Sequence, residues 1–193
     1  ITSLDQLRGM KMRFFGLGAR VMQKIGVSTQ LLAGGDIFPA LEKGVIDATE
    51  FSMPAMDIKY GFYQIAKNNY FPGWHQQVSV SQILMNKKKF EGLSDANKAL
   101  VEVGCGDSIH HTYAETEYVN PFAMVEMGEK HGVVVRRWKD DQLAVFEKAW
   151  NDVVAEDSKK DPLFKRVNES YAKFRKAYAK WGAAQSLNPT YLK

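Results

Sequence analysis

Between residues 11 and 57 the apolar positions fall into short runs separated by glycines. Met12 to Phe15 is a run of strand length that contains one Arg. Gly16, Leu17 and Gly18 make a turn, and the spacing predicts a helix from Ala19 to Ile25. Thr29 to Ala33 is a second strand-length run, punctuated by Gly34 and Gly35. Ile37 to Lys43 reads as another helix, stopped by Gly44 where a C-terminal cap glycine stands. Ala48 to Ser52 is a third short strand. Strand, glycine turn, helix, strand is the pattern of a parallel α/β layer. Ligands of such layers bind outside the carboxyl ends of the strands.

The rest of the chain is mainly helical in period. Ser3 and Gln6 form a capping box at the start, with Gly9 ending the turn. Pro54 to Lys67 suits helical turns packed on the layer, and Asn68 to Trp74 is aromatic-rich and broken by Pro72 and Gly73. Gln77 to Asn86 reads as one longer strand. Ser94 caps a helix that runs towards Tyr118, with Pro121 breaking or kinking it. Phe122 to Lys130 resumes helical spacing, Gly132 ends it, and Val133 to Val135 is a short buried strand. Asp140 caps a helix over 142–154. Asp161 and Pro162 open a last helix to about Trp181. Its Leu163, Val167, Tyr171, Phe174, Tyr178 and Trp181 recur at steps of three and four, the spacing of a core face.

Composition narrows the class. The 193 residues suffice for one large domain or two small ones, and the apolar and charged fractions are those of a soluble globular protein. No stretch is long and apolar enough to span a membrane, and no signal peptide is recognisable. The opening ITSLDQLRG reads as a connector, so an upstream part or a removed leader is expected. The single Cys105 excludes an intramolecular disulfide and a cysteine zinc cluster. Net charge is +4, and residues 159–193 carry nine Lys/Arg against two Asp/Glu. That basic end is a solvated helix face or, alternatively, a nucleic-acid-binding module built on helix 162–181.

Two charges disturb the apolar pattern. Arg13 sits inside a strand and Glu50 at the end of another, where an unpaired charge costs several kcal/mol. Arg13 is placed to hold a carboxylate in a bidentate fork or to make an internal salt bridge. Glu50 is a candidate cation ligand, a ligand contact or a structural partner. Tyr70, Phe71 and Trp74 with His75 line a pocket or pack the core, and Trp74 is a candidate ligand contact. The Gly16–Leu17–Gly18 turn is a weak anion-site signal. His110 and His111 are adjacent, so on a helix they face different sides and cannot share a metal. No nucleophile elbow, phosphate loop or paired-carboxylate motif is present, which weakens the alternative of a small-molecule enzyme.

Three blocks carry a resemblance: LRGMKMRFFGLGARVMQKIGV, GGDIFPALEKGVIDATEF and YFPGWHQ. Together, from Leu7 to His75, they resemble the substrate-binding proteins of TRAP transporters, in the branch that binds α-keto acids and other small carboxylates. A looser likeness continues through NKKKFEGLSDANKALVE. The resemblance implies an α/β, periplasmic-binding-protein-like, type II-like two-lobed fold, represented by its C-terminal part and ending in a long helical region. Residues 1–76 are then an α/β ligand-binding lobe segment. Residues 77–193 are a crossover strand followed by a helical region that returns to both lobes. The implied function is a periplasmic receptor that binds a small organic carboxylate and delivers it to the membrane subunits, without catalysis and without nucleic acid. By resemblance Arg13 forks the substrate carboxylate, while Glu50, the Phe51 carbonyl and Gln76 hold a sodium or calcium ion that bridges the ligand. A homodimer through the C-terminal helix is also implied. In one respect the chain departs from the family pattern: Phe14 and Phe15 follow the arginine where Ile-Pro is usual.

Overall fold

The computed structural model describes residues 1–185; the last eight positions of the expected helical region, 186–193, lie outside the described residues. After a 3-10 turn at Leu4–Leu7, three short parallel strands form a sheet in the order β2-β1-β3. They are β1 (Lys11–Arg13), β2 (Ser28–Gln30) and β3 (Ala48–Thr49). Helix α1 (Gly16–Lys24) joins β1 to β2, and α2 (Gly34–Glu42) joins β2 to β3. Gly44 takes φ +67° just after α2, the left-handed conformation that its place in the sequence predicts. Helix α1 begins at Gly16, earlier than the pattern indicates, and Gly16 adopts φ +63° there.

Beyond the sheet come α3 (Pro54–Lys59), a 3-10 turn at Phe62–Gln64 and β4 (Asn68–Phe71). Helix α4 (Lys87–Glu91) and the long α5 (Asp95–Glu129) follow. β5 (Val134–Arg137) then pairs in parallel with β4 in a second, two-stranded sheet. Two helices end the described chain, α6 (Asp140–Lys160) and α7 (Pro162–Gln185). This is a helix-rich α/β architecture with parallel sheets, as the glycine-separated runs indicate.

Three small cores hold it. The largest gathers Leu7, Phe14, Met22, Val27, Trp138 and Phe146. Ile37, Leu41, Ile46 and Phe62 form the second, beneath α2. Val21 meets Ala149 and Val153 in the third, where α1 packs on α6. On α6 the buried Gln142, Phe146, Ala149 and Val153 are spaced by four, three and four, one face of a helix. Polar contacts fasten the rim of the α1–α6 seam: Arg20 pairs with Asp157, and Lys24 Nζ lies 2.6 Å from Glu156 Oε1. The Arg20 hydrogen bond holds the Asp157 carboxyl below its ordinary range, and the Lys24 hydrogen bond does the same to Glu156.

Five expectations change. Pro121 does not break the helix, for α5 runs unbroken through it. The lost hydrogen bond is outweighed by tertiary contacts: Ala123 and Met127 are buried, and Asn120 Oδ1 accepts the Ala55 N–H of α3 at 3.0 Å. Residues 77–86 form no strand. Alternation alone cannot hold a strand without a neighbouring edge, and Val78, Val80, Ile83 and Leu84 stand exposed. In β5 only the preceding Val133 is buried, since the two-stranded sheet leaves the next residues uncovered. Asp140 is the first residue of α6 rather than its cap; Gln142 Oε1 reaches back to the Lys139 N–H at 3.0 Å. Finally, the core-spaced stripe of α7 is exposed, with Leu163, Val167, Tyr171, Phe174, Tyr178 and Trp181 each about half accessible. No helix among the described residues is long and apolar enough to cross a membrane.

Phe146 is 1 % exposed and lies between Trp74 and Trp138, with ring centroids 5.0 and 5.2 Å away. Phe146→Ala should therefore cost about 3–5 kcal/mol. Urea denaturation would show it as a lower midpoint at unchanged slope. An unchanged midpoint would mean that α6 does not carry the core.

Candidate functional site

Arg13 is the last residue of the central strand, and Glu50 follows the neighbouring strand directly. The parallel register sets Arg13 opposite Thr49 and so brings the two charges together. Arg13 Nη1 donates to Glu50 Oε1 at 2.5 Å and to the Glu50 carbonyl at 2.8 Å. Arg13 Nε donates to the Leu32 carbonyl at 3.2 Å. The guanidinium also sits 5.8 Å from the Phe51 ring centroid. Both side chains of the ion pair are about 10 % exposed. Taking two charges out of water costs several kcal/mol per ion, so the pair persists only with further hydrogen bonds. Glu50 has them. Oε1 also accepts the Phe15 N–H at 2.8 Å, and Oε2 lies 3.2 Å from His75 Nε2. A proline at position 15 would have no N–H to give.

The sequence places His75 in the aromatic cluster, and its contact with Glu50 is the part of the site that no pattern signals. Its pattern signal was limited to its place in the aromatic cluster and beside Gln76. The imidazole packs edge-on to Phe14 at 4.8 Å and to Trp74 at 5.4 Å. Gly18 leaves room for this packing, because a Cβ there would collide with the Phe14 ring and crowd the His75 Cβ.

The other candidates are placed less centrally. The Phe51 ring packs edge-on against Tyr60 and Phe62, while its carbonyl lies in the link between β3 and α3. Trp74 stacks on Phe146 and so belongs partly to the core. Gln76 is exposed, and its Nε2 donates to Ser79 Oγ at 2.7 Å, which leaves Oε1 available. Among the described residues no three His, Cys, Asp or Glu side chains gather as a metal site. His111 is exposed on α5 and lies 3.7 Å from Glu115.

One cavity reaches the ion pair at Glu50, and a second shares His75 with the first. One, of about 470 Å³, lies between the edges of β3 and β4 and is lined by Thr49, Glu50, Phe51, Asp57, Tyr70 and His75 among others. The second, of about 460 Å³, is lined by Phe15, Gly16, His75, Gln76, Trp150 and Arg175 among others. Trp74 and His75 line both, so they are the wall between the two. In the first, Asp57 Oδ1 is buried without a hydrogen-bond partner. Burial pushes the Asp57 carboxyl up to about 6, against the pull of the Asn69 side chain and the Ser52 backbone.

Residues 1–161 match the family model described as bacterial extracellular solute-binding protein, family 7. A monocarboxylate 2-oxoacid-binding periplasmic protein of Nostoc sp. PCC 7120 is 29% identical over 188 residues, 97% of this chain and 51% of its own length. A TRAP transporter solute-binding protein of Bordetella bronchiseptica superposes with a TM-score of 0.85 at 33% identity, over 95% of this chain and 54% of its own. That protein is a mixed-occupancy dimer in which one site holds copurified calcium and picolinate and the other is apo. The Colwellia psychrerythraea TRAP solute-binding protein, solved with calcium and pyruvate, has a TM-score of 0.87 at 23% identity over 95% of this chain and 56% of its own. At that identity the likeness is one of fold. The chain spans about half the length of the relatives it matches.

Asp57 gives the site region a measurable signature. The folded protein holds the Asp57 proton more tightly than the unfolded chain, whose ordinary value is 3.8. The group therefore adds stability below that value and loses it as the pH rises through about 6. Asp57→Asn should match wild type in melting temperature near pH 3.5. Above pH 7 it should be more stable by roughly 2–3 kcal/mol. A melting-temperature difference that is flat between pH 3.5 and 8 would contradict the burial of this carboxyl.

Proposed function

The chain belongs to family 7 of the bacterial extracellular solute-binding proteins, and from that premise we propose that it is the ligand-gripping part of a periplasmic TRAP receptor. The receptor captures a small monocarboxylate of the 2-oxo acid class together with a sodium or calcium ion. It passes the ligand to membrane transport subunits and catalyses no reaction. The observation that carries this reading is the buried Arg13 at the carboxyl end of the central parallel strand, held in place by backbone carbonyls and by Glu50. A guanidinium fixed from behind is suited to bidentate recognition of a carboxylate. The 2-oxoacid-binding relative from Nostoc supports the ligand class, and the picolinate complex of the Bordetella relative supports a small carboxylate.

The donor chemistry fits a hard cation. Glu50 offers carboxylate oxygen, Phe51 a carbonyl and Gln76 an amide oxygen, a set that suits sodium or calcium and disfavours zinc or copper. Glu50 and Phe51 are consecutive and line the first cavity, whereas Gln76 lines the second, beyond the Trp74–His75 wall, so of the three donors only Glu50 and Phe51 share a cavity. A single carboxylate makes a weak site on its own, so the ligand's oxygens have to complete it. The ion would supply positive charge at the carboxylate and keto oxygens. Trp74 forms the aromatic wall beside them.

The reading extends to the rest of the chain. Residues 1–76 form the ligand-gripping lobe segment, and 77–185 lead towards a second lobe and return in helices. The exposed aromatic stripe of α7 serves as the contact of a homodimer; the Bordetella relative is itself a dimer. Sedimentation of the receptor at the full length of its relatives should show a dimer at micromolar concentration. A monomer under those conditions would remove this role from α7.

Arg13→Lys keeps the charge and loses the planar fork, and it should weaken pyruvate binding by about 1–3 kcal/mol. Calorimetry on the full-length receptor measures this directly. Unchanged affinity would remove Arg13 as the anchor.

A further inference from the structure

We propose that Phe15 is a specificity-determining residue, which steers the ligand's substituent into the second cavity and selects 2-oxo monocarboxylates with a large apolar group, aromatic above all, over pyruvate. The proposal rests on the receptor reading and narrows its ligand class. It starts from the alternation of side chains at the end of β1. Met12 packs against the main core cluster, and Phe14 is buried within it. Side chains of an extended chain alternate between two faces, so Arg13 and Phe15 share the opposite one. The chain stays extended past β1: the Phe14 N–H donates to the Gln30 carbonyl at 3.1 Å, and Phe15 has φ −99° and ψ 144°. The Phe15 N–H donates to Glu50 Oε1 at 2.8 Å, which anchors the backbone that carries the ring.

Arg13 lines neither cavity, and Phe15 joins its face to one of them. Phe14 lines the first cavity and Phe15 the second. Arg13 Nε and Nη1 are engaged by acceptors of Leu32 and Glu50, while Nη2 has no acceptor among the described residues. Alternate residues of a strand stand about 6.6 Å apart. A carboxylate that takes Nη2 therefore has its substituent beside the Phe15 ring, which is 55 % exposed.

The cavity beyond Phe15 suits an apolar group. Trp74, His75, Trp150 and Tyr171 are among its walls. Glu147 and Arg175 also line it, and their opposite charges cancel, so the walls carry no net charge for a second carboxylate. Two of the walls are fixed from behind: Trp74 stacks on Phe146 at 5.0 Å, and His75 is held between Phe14 and Glu50. Selection falls to Phe15, whose ring is exposed on the Arg13 face. Pyruvate ends in a methyl group and leaves most of the cavity of about 460 Å³ to water. Each methylene that a longer substituent takes out of water adds about fourfold in affinity. A ligand ring packed on Phe15 adds an aromatic contact to that burial.

The test is calorimetric titration of the full-length receptor, at fixed sodium and calcium concentrations, with pyruvate, 4-methyl-2-oxopentanoate, phenylpyruvate and 2-oxoglutarate. Wild type should bind phenylpyruvate at least about tenfold tighter than pyruvate, with 4-methyl-2-oxopentanoate between them and 2-oxoglutarate no tighter than pyruvate. Phe15→Ala keeps the backbone N–H that Glu50 accepts, and the ratio of phenylpyruvate to pyruvate affinity should fall in it by about fivefold or more. Phe15→Tyr keeps a ring and should restore the ratio. A crystal structure of wild type with phenylpyruvate gives a readout independent of any variant's folding: the ligand ring should lie against Phe15 in the second cavity. Pyruvate bound as tightly as phenylpyruvate, 2-oxoglutarate bound tighter than either, equal losses for both ligands in Phe15→Ala, or a ligand ring seated elsewhere would each overturn the assignment of Phe15 alone. No binding of any of the four acids by wild type would overturn the receptor reading and this assignment with it.

Discussion

The buried Arg13–Glu50 pair is the constraint on which the ligand-facing side of this molecule depends. A guanidinium and a carboxylate, each about 10 % exposed, persist as a buried pair only with further hydrogen bonds. The surroundings supply them from separate parts of the chain. Leu32 comes from the link between β2 and α2, Phe15 from the start of α1, and His75 from beyond β4. The pair thus ties three loops to the ends of three strands. It also explains why strands of two and three residues suffice: the site is held by side-chain cross-links as well as by the backbone ladder.

Behind the pair, the aromatic residues transmit the shape of the core to the site. Phe14 is buried in the main cluster and touches both Trp74 and His75. Trp74 stacks on Phe146 of α6, and Tyr70 lies against Trp138. The wall between the two cavities is therefore continuous with the packing of the last helices onto the sheet. Gly18 belongs to the same arrangement, since any side chain there would push Phe14 and His75 apart. A change in how α6 docks would be felt at Glu50 through this stack.

The helical half leaves many large apolar side chains exposed. Residues 78–85, α5 and α7 each expose several large apolar side chains. Contiguous exposed apolar surface of that extent marks contact with another body. In the receptor reading, the second lobe and a second copy provide that contact, consistent with relatives about twice as long as this chain.

The sequence by itself determined the α/β class, because glycine-separated runs of strand and helix length leave few other architectures. It also determined the local punctuation: the Ser3 and Ser94 caps, Gly44, Gly132 and the Asp161–Pro162 start all act where the pattern puts them. Arg13 and Glu50 stood out because a charge conflicts with an apolar strand. Tertiary structure decided what pattern could not. Periodicity records which face of an element is apolar, not whether anything covers it, so the α7 stripe read as core and the 77–86 run read as strand. Pro121 shows the converse, a local penalty overridden by the docking of α5 on α3. The joining of Arg13, Glu50 and His75 also required the fold. Their meeting depends on which strands neighbour one another and on how the chain beyond β4 returns, and residues up to sixty-two positions apart share no local signal.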